Sequence, residues 1–434
     1  MLPIRRTKNY GSLTPIAARF VRLKAVKRTN PALSSELSSQ TDRGDCAASP
    51  PFPTTSLSVA QGHCRIPMNN WCTPELRQRL TRFCHLLIDQ HRARKIVEPY
   101  ESRSGYWFGG GNLLCEDRGD IYLVGRYRNA GDSRTGIASG ERGLELAIFA
   151  SRDGAQSFQK QFSWNKEALA TSEHRVLSIE GSCLRRTSDG VELYVSTEKE
   201  GLGYPDELAD HLKPGAGVWS IDVLRAPTIE QLPDAEVRPF LTGTDPKHLH
   251  VKDPFLWPDQ REEHVGFCSH PYCWSCSNTG RVSLHGGTRH VPDYGAIRRG
   301  DTWDVAMTRG TCVLEVPQIV SRSSLPIHLL FYCGGECVRS HDEHRNSVRR
   351  PRGHSCEELG GVIAYPGDNL QLAFRLSDLQ PLFISPWGTG CSRYVDVVQT
   401  SDSFLATWQQ SQQDGSQPLV INLVAHQDLE KHFG

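Results

Sequence analysis

Two carboxyl groups stand at matching places in neighbouring repeats of this sequence. Glu180 lies in SIEGS and Asp253 in VKDPF, each near the start of a short apolar strand. Two carboxyl groups that face one point can divide acid–base work, because one can assist a leaving oxygen as an acid while the other stays ionised. Low-dielectric walls and a second carboxylate raise the pKa of such a group, which would provide the acid. We therefore predict that Glu180 and Asp253 form a catalytic pair.

Both residues also have an ordinary structural interpretation. Asp-Pro is a common turn element, and a carboxylate at a strand start often accepts only backbone N–H bonds. The matched phase of Glu180 and Asp253 in their repeats favours the catalytic interpretation.

Other polar and aromatic residues are expected on the same rim. Guanidinium groups have forked donors that match carboxylate and sulfate anions, so Arg126 and Arg393 would suit an acidic sugar. Aromatic faces such as Trp107 and Trp274 can support sugar rings, although core packing is their commoner role. The predicted substrate-contacting residues are Asn112, Arg126, Tyr127, Asp132, Trp107, His270, Trp274, Glu336, Arg393 and Tyr394.

A repeat of short strands predicts the scaffold that brings these residues together. The first strands of its five copies are GGGNLL (Gly109–Leu114), LSIEGSCL (Leu177–Leu184), HVKDPFLW (His250–Trp257), IHLLFYCGG (Ile327–Gly335) and CSRYVDVV (Cys391–Val398). In this reading Thr302–Gly310 is the third strand of the third copy. Such strands, β-branched or aromatic and bounded by Gly, Asp, Asn or Pro, predict an all-β, five-bladed β-propeller over residues 104–434.

Composition excludes several classes of partner. The 49 basic and 49 acidic residues balance, so whole-chain electrostatics give no case for nucleic acid or acidic membranes. No apolar run approaches the ~20 residues of a membrane-spanning helix. A secretory signal is not readable, which favours a cytoplasmic location, and the sequence does not predict an oligomeric state.

The N-terminal part differs in composition from the repeats. Residues 1–70 are basic and then rich in Pro, Ser and Thr, which predicts a disordered tail, a transit peptide or sequence upstream of the true start. Residues 71–103 are predicted to hold an amphipathic helix that starts at Thr73 and Pro74 and runs to about Val97. Its apolar stripe would pack on the propeller, or alternatively bind a partner.

Fourteen cysteines raise the question of a metal site. Cys268, Cys273 and Cys276 cluster with His270, and Cys333 with Cys337, so zinc is conceivable. The spacing lacks two regular pairs, and free thiols or a few disulfides account for it more simply. We expect no cofactor and no resident metal, with zinc or calcium as the alternative.

The motifs around the two carboxyl groups resemble those of a known group of enzymes. An Asp-Pro after a basic residue and a Glu-Gly on another inner strand are similar to signatures of the five-bladed propeller glycosidases, the arabinanase, β-xylosidase and invertase-like enzymes. The resemblance implies cleavage of an oligo- or polysaccharide in a central funnel, with Glu180 as the acid. In those enzymes Asp, Asp and Glu stand in the first three blades, whereas this chain has Asn112, Glu180 and Asp253.

A second resemblance points to a different enzyme. Ser151–Phe158, SRDGAQSF, resembles the Asp-box of sialidases with Gly154 one position early. That box is a hairpin turn between the third and fourth strands of a blade. Sialidases use an arginine cluster and a Tyr nucleophile, for which Arg126, Arg393 and Tyr394 could stand, but they normally have six blades.

Two further functions remain open from sequence alone. A polysaccharide lyase would need a His or Tyr base with Arg neutralisation, which His270, Tyr127 and Arg126 could supply. A non-catalytic propeller would bind glycan or protein through the same mouth. The funnel floor discriminates between them, since two carboxylates about 5–10 Å apart favour a glycosidase.

Overall fold

Short apolar strands pair in chain order into five antiparallel sheets. In this computed structural model the described residues are 71–117, 119–128, 142–212, 215–259, 262–284, 291–336 and 358–434, and all belong to one compact unit. The first strand of each sheet contacts the first strands of its neighbours around a ring. The predicted all-β, five-bladed β-propeller is therefore confirmed, while the predicted tail, residues 1–70, lies outside the described residues.

Each blade runs from an inner strand at the axis to an outer strand at the rim. The first elements are α1 (Pro74–Leu87) and β1 (Arg94–Val97), followed in blade one by β2 (Trp107–Gly109), β3 (Leu113–Cys115), β4 (Ile121–Arg128), β5 (Glu145–Ser151) and β6 (Gln159–Trp164). Blade two contains β7 (Val176–Thr187), β8 (Gly190–Lys199), β9 (Val218–Ala226) and β10 (Arg238–Leu241).

The remaining blades follow in chain order. Blade three contains β11 (His250–Trp257), β12 (His264–His270), β13 (Asn278–Ser283) and β14 (Asp293–Ile297). Blade four contains β15 (Met307–Glu315), the short helix α2 (Gln318–Ser321), β16 (Ile327–Gly335), β17 (Leu359–Pro366) and β18 (Phe374–Arg375). Blade five contains β19 (Ser392–Gln399), β20 (Ser403–Gln410) and β21 (Leu419–Ala425), and the chain continues into α3 (His426–Phe433).

The predicted helix is shorter than expected. Thr73 caps α1 by accepting the Leu76 N–H (3.1 Å), but α1 ends at Leu87 rather than near Val97. The following residues form β1, which pairs with β21 and supplies the outer strand of blade five. The N-terminal part of the propeller thus closes the ring, a long-range pairing that local helical periodicity cannot reveal.

The apolar stripe of α1 is buried against the propeller. Leu80, Phe83 and Leu87 share a core with Phe331 of blade four and Phe404 of blade five. The ring centroids of Phe83 and Phe404 lie 5.7 Å apart in an edge-on arrangement, which is favourable for aromatic pairs. Among the described residues no helix is long and apolar enough to cross a membrane.

The assignment of strands in blades three and four was wrong by one strand. Thr302–Gly310 was expected to end blade three, but its last residues open β15, the inner strand of blade four. Ile327–Gly335 is consequently the second strand of that blade rather than its first. Blade three is completed instead by β13 and β14, which are too short and polar to stand out in the sequence.

The inner strands of all five blades are interrupted at one level. In blade one the inner strand is split into β2 and β3, and in each of the other four blades the inner strand has a register shift. In blades two to five the shifts lie between Ile179 and Ser182, Lys252 and Phe255, Gly310 and Cys312, and Arg393 and Asp396. Asp253 and Tyr394 take left-handed backbone conformations there, with φ of 53° and 52°. Such conformations are unfavourable for residues other than Gly, and β-bulges often redirect side chains near active sites.

Candidate active site

Charged side chains meet at the level of these bulges. Arg126 Nη2 on β4 lies 3.3 Å from Glu180 Oε2 on β7 and 3.9 Å from Asp253 Oδ1 on β11. Lys252 Nζ lies 3.4 Å from Glu180 Oε2 and 3.7 Å from Asp253 Oδ2. All four residues are buried. The structure therefore brings the two sequence-predicted carboxylates together around two shared cations.

The shared lysine limits the distance between the two carboxylates. Because Lys252 Nζ is 3.4 Å from Glu180 Oε2 and 3.7 Å from Asp253 Oδ2, these oxygens are at most about 7 Å apart. That separation allows both groups to act on one small substrate bond.

Gly181 explains why the Glu-Gly sequence suits this position. Its N–H donates to Asp253 Oδ1 (3.0 Å), and a Cβ on Gly181 would come within 2.5 Å of that oxygen. The hydroxyl of Ser196 accepts the backbone N–H of Asp253 (3.1 Å), which holds its strained backbone. The Glu180 carboxylate in turn accepts the Ser178 hydroxyl (2.9 Å). A hydroxyl of its own strand thus positions Glu180, and two groups of blade two position Asp253.

The cations determine the ionisation of Glu180. Burial alone would raise its pKa, but Lys252 and Arg126, assisted by more distant guanidinium groups, hold the pKa well below its ordinary value. We expected a raised pKa at this carboxyl group from burial and the second carboxylate. That expectation was wrong for Glu180, since the nearby charges are mainly positive.

A third carboxylate, Glu358, lies on the other side of the ring. Glu358 Oε1 is 2.8 Å from Arg309 Nη1 on β15 and 3.1 Å from Arg393 Nη1 on β19. Burial would raise its pKa, but Arg309 and Arg393 lower it to about 2. Glu358 is therefore ionised and occupied with these two guanidinium groups.

Aromatic rings line the same cluster. The guanidinium carbons of Arg126 and Arg393 lie 4.6 and 4.8 Å from the ring centroid of Trp107. Lys252 Nζ lies 4.3 Å from the ring centroid of Trp219. Cation–aromatic contacts of this kind are favourable at about 6 Å or less. Trp107 is thus part of the cluster, as predicted from its place beside the rim.

His270 and Trp274 lie on the blade-three side of the cluster. His270 Nε2 is 3.4 Å from Arg309 Nη2, and burial with Arg309 and Lys252 nearby lowers the pKa of His270 well below its ordinary value. Trp274 stacks on His250, with ring centroids 4.3 Å apart. Both residues therefore pack behind the charged groups, and His270 is neutral near pH 7.

Tyr394 and Arg393 also reach the cluster. The hydroxyl of Tyr394 accepts from Arg126 Nη2 (3.2 Å), and Arg393 lies 5.3 Å from its ring centroid. Burial and the charge of Asp253 raise the pKa of Tyr394 well above its ordinary value, so its hydroxyl is protonated.

Two predicted substrate residues lie away from the carboxylates. Asn112 bonds to the backbone of Leu184, beyond the bulge of β7, at 2.7 and 2.9 Å. Tyr127 packs in the core of blade one, where it stacks on Tyr100 with ring centroids 4.3 Å apart. The His270, Tyr127 and Arg126 set of a lyase is therefore not assembled.

The last two predicted substrate contacts are Asp132 and Glu336. Asp132 falls outside the described residues. Glu336 directly follows β16, as expected, and is the last described residue before residue 358.

Several residues of the cluster were not predicted as site residues. Lys252 and Arg309 directly precede Asp253 and Gly310 at the bulge level, and Glu358 immediately precedes β17. Arg309 was missed because β15 was assigned to the wrong blade. In correct register it occupies the place of Lys252 and Arg393, so alignment of the inner strands would have found it.

The thiols near the site are used as ordinary hydrogen-bonding groups. Cys268 Sγ donates to Asp253 Oδ2 (3.4 Å), and the Tyr394 N–H donates to Cys333 Sγ (3.1 Å). Burial raises the pKa of both thiols above the ordinary value. In the described ranges no three His, Cys, Asp or Glu side chains are grouped to hold a metal, while Cys337 lies outside those ranges.

The Asp-box sequence forms the turn expected of it. It connects β5 to β6, the third and fourth strands of blade one. Asp153 Oδ1 accepts the Ser151 hydroxyl (2.7 Å) and the Ser157 N–H (3.0 Å), and these bonds lower its pKa. The motif lies on a hairpin of the blade and is structural.

Comparisons with known proteins address the architecture. No family model and no curated protein matches the chain. A solved structure named "Glycoside hydrolase" is similar, with a TM-score of 0.54 and 10% identity over 81% of this chain and 95% of that chain. An α-L-arabinofuranosidase from Lactobacillus brevis gives a TM-score of 0.48 and 10% identity over 78% and 93%. At this identity the likeness concerns the fold alone, and the predicted resemblance in architecture is confirmed.

Proposed function

We propose that this chain is a glycoside hydrolase that cleaves an oligo- or polysaccharide with Glu180 and Asp253. The pair itself carries the proposal, since two buried carboxylates on neighbouring inner strands share the same two cations. Their oxygens are at most about 7 Å apart, which does not exceed the carboxyl separations of about 5–9.5 Å that glycosidases use. The fold shared with a solved structure named glycoside hydrolase adds support.

The two carboxylates take different roles in this proposal. Glu180 is ionised because Lys252 and Arg126 lower its pKa, so it acts on the anomeric carbon or on the attacking water. Asp253 acts as the acid in its protonated form, gives its proton to the leaving oxygen and is left as a carboxylate. This reverses the assignment of the acid to Glu180 that the Glu-Gly resemblance implied.

Neighbouring groups support the developing positive charge and the sugar. An ionised Glu180 stabilises an oxocarbenium-like transition state electrostatically, and its fixed hydrogen bond from Ser178 limits reorganisation. Asp253 is held by the N–H of Gly181 and by the left-handed backbone, which keeps it directed towards the same point. The indole rings of Trp107 and Trp219 border the cations and offer apolar surface beside them.

The test is hydrolysis of a panel of aryl glycosides and polysaccharides by the purified chain. Glu180→Gln and Asp253→Asn preserve shape, and each is expected to lower turnover at least ~100-fold. Asp396→Asn is the matched control, because Asp396 is a buried inner-strand acid outside the cluster. Absence of turnover on every glycoside, or full turnover in either site variant, would contradict the proposal.

A sialidase-like mechanism is the second candidate. It is favoured by the contact of Arg126 with Tyr394, beside Arg393. The raised pKa of Tyr394 makes its hydroxyl a poor nucleophile without an adjacent base. Tyr394→Phe should reduce turnover less than about tenfold if Glu180 and Asp253 are the pair. A loss of ~1000-fold would favour the tyrosine mechanism instead.

A further inference from the structure

Positive charge exceeds negative charge around the carboxylate pair. Six cations and four acids lie in this part of the described structure: Arg126, Arg128, Arg142, Lys252, Arg309 and Arg393 against Glu180, Glu198, Asp253 and Glu358. Arg309 and Arg393 share the single carboxylate of Glu358. Arg142 pairs with Glu198 at 2.8 Å. Among the residues that the structure describes, these pairings leave Arg128 outside any ion pair.

Arg128 lies at the end of the strand that carries Arg126. It is the last residue of β4, two residues after Arg126 and therefore on the same face of the strand, and it is partly exposed. Among the described residues its guanidinium makes no ion pair and no hydrogen bond, although Glu180 lies near enough to favour its charge. Burial and the charges of Arg142, Arg393 and Arg126 lower its pKa to about 10, so it remains charged at pH 7.

A buried donor next to Arg128 is also unsatisfied. The guanidinium carbon of Arg128 lies 5.9 Å from the ring centroid of Trp107, whose faces also meet Arg126 and Arg393. Trp107 is 3% exposed, and in the described part of the chain its Nε1–H has no acceptor. A buried unpaired N–H is costly, and an unpaired guanidinium in a crowded positive field is unfavourable too. Two unsatisfied donor groups therefore lie in the same part of the site, and an oxyanion is the kind of ligand that accepts from such groups.

We infer that Arg128, with Trp107 beside it, forms a subsite for the carboxylate of a uronic-acid sugar. This inference rests on the proposed glycosidase function and names its substrate class. One guanidinium outside the ion pairs of the described residues suits a monoanion, and its forked donors fit a carboxylate in two parallel hydrogen bonds. Glu180 is near enough to favour the charge of Arg128, so the subsite lies close to the proposed catalytic pair.

Binding of methyl uronides tests the subsite without requiring turnover. Isothermal titration should give methyl glucuronide or methyl galacturonide at least tenfold tighter binding than the matching neutral glycosides, as expected for a charged hydrogen bond. Arg128→Gln should remove that preference. The matched control is Arg225→Gln, on β9 and paired with Glu192, which should retain it. Equal affinity of wild type for uronides and neutral glycosides would overturn the inference.

Two further variants separate this inference from the proposed function. Asp253→Asn should retain the uronide preference while losing turnover, so the subsite can hold even if no glycoside is cleaved. Glu180→Gln should bind uronides several-fold more tightly, because a carboxylate near the ligand is removed. If Arg128→Gln fails to fold, Arg128→Lys should keep the charge but lose part of the preference, since the fork is absent. Stronger competition by inorganic phosphate than by uronides would identify a free anion as the ligand and refute the sugar carboxylate.

Discussion

Two buried carboxyl groups of the inner strands, Glu180 in the bulge of β7 and Asp396 just beyond the bulge of β19, have pKa values shifted in opposite directions. Glu180 and Asp396 are each 6% exposed. Cations surround Glu180 and lower its pKa against the effect of burial. Asp396 instead accepts the N–H of Leu113 (2.7 Å), and burial raises its pKa to about 7. Equal burial therefore leads to opposite shifts, and the neighbouring charges decide the sign.

The side chains around Glu180 and Asp396 also differ. Asp396 lines a cavity of about 220 Å³ together with Asn112 and Cys312 and with apolar side chains such as Leu256 and Trp257. Among the described residues, burial and hydrogen bonds determine the pKa of Asp396, whereas cations determine that of Glu180. An inner-strand acid is thus not catalytic by position alone. The cations of Arg126 and Lys252 mark the half of the axis that can keep a carboxylate ionised.

Removal of Arg126 should have the largest effect on stability. Arg126→Met leaves Glu180 and Asp253 buried with one cation fewer, which is expected to lower the free energy of unfolding by about 3–5 kcal/mol. Asp396→Asn should not destabilise the protein, since the amide oxygen can still accept the Leu113 N–H. Urea denaturation at pH 7 measures both. Equal losses in the two variants would show that the cations are not the difference between the two halves.

The pH dependence of stability should separate the two acids. Asp396 has a raised pKa in the folded state, so its contribution is fully present below the unfolded value and is lost as pH rises from about 4 to about 7. Asp396→Asn should therefore be more stable than the parent at pH 8, on the order of 1–3 kcal/mol. Glu180 has a depressed pKa, so its contribution is present above about pH 4.3 and is lost as pH falls further.

Glu180→Gln should accordingly flatten the acid side of the stability profile, and Asp396→Asn the neutral side. Denaturant midpoints measured from pH 3 to pH 8 give both profiles. The same change in slope for both variants would contradict the opposite pKa shifts.

A methyl group at Gly181 should lower stability less than the loss of Arg126 does, and should mainly lower kcat. Gly181→Ala would bring a Cβ within 2.5 Å of Asp253 Oδ1, so Asp253 must move. We expect a loss of about 1–3 kcal/mol in stability and a clear fall in kcat. Gly295→Ala on β14 is the matched control, because its nearest atom would lie 4.0 Å away. Melting temperature and kcat check the result, and an unaffected kcat would mean that the placement of Asp253 is not critical.

The sequence alone predicted the strand repeat and the proximity of Glu180 and Asp253. Strand patterns reveal blades because each strand is short, apolar and bounded by turn residues, and Glu180 and Asp253 share one phase of the pattern. The pattern could not place β1, whose partner β21 is more than 300 residues away in sequence. It also could not assign β15, because the polar start of this strand follows a loop that resembles a strand.

The charges around Glu180 could not be predicted from the sequence, because they also depend on contacts between distant parts of the chain. The roles of three residues depend on contacts with groups that are distant in sequence: Lys252 pairs with Glu180, and Arg309 pairs with Glu358. Sequence reasoning considered the two carboxylates as a pair and expected mutual repulsion to raise a pKa. The lowered pKa of Glu180 results from cations that separate chain segments deliver to one point.

The most direct test of the central claim compares two leaving groups. Asp253→Asn should lose at least ~100-fold in turnover on a glycoside with a poor leaving group but recover most of it on a 2,4-dinitrophenyl glycoside, which departs without a proton. Glu180→Gln should lose turnover on both substrates, because its charge is needed at the anomeric carbon in either case. The opposite pattern, with Glu180→Gln recovered by the activated leaving group, would identify Glu180 as the acid and contradict the account.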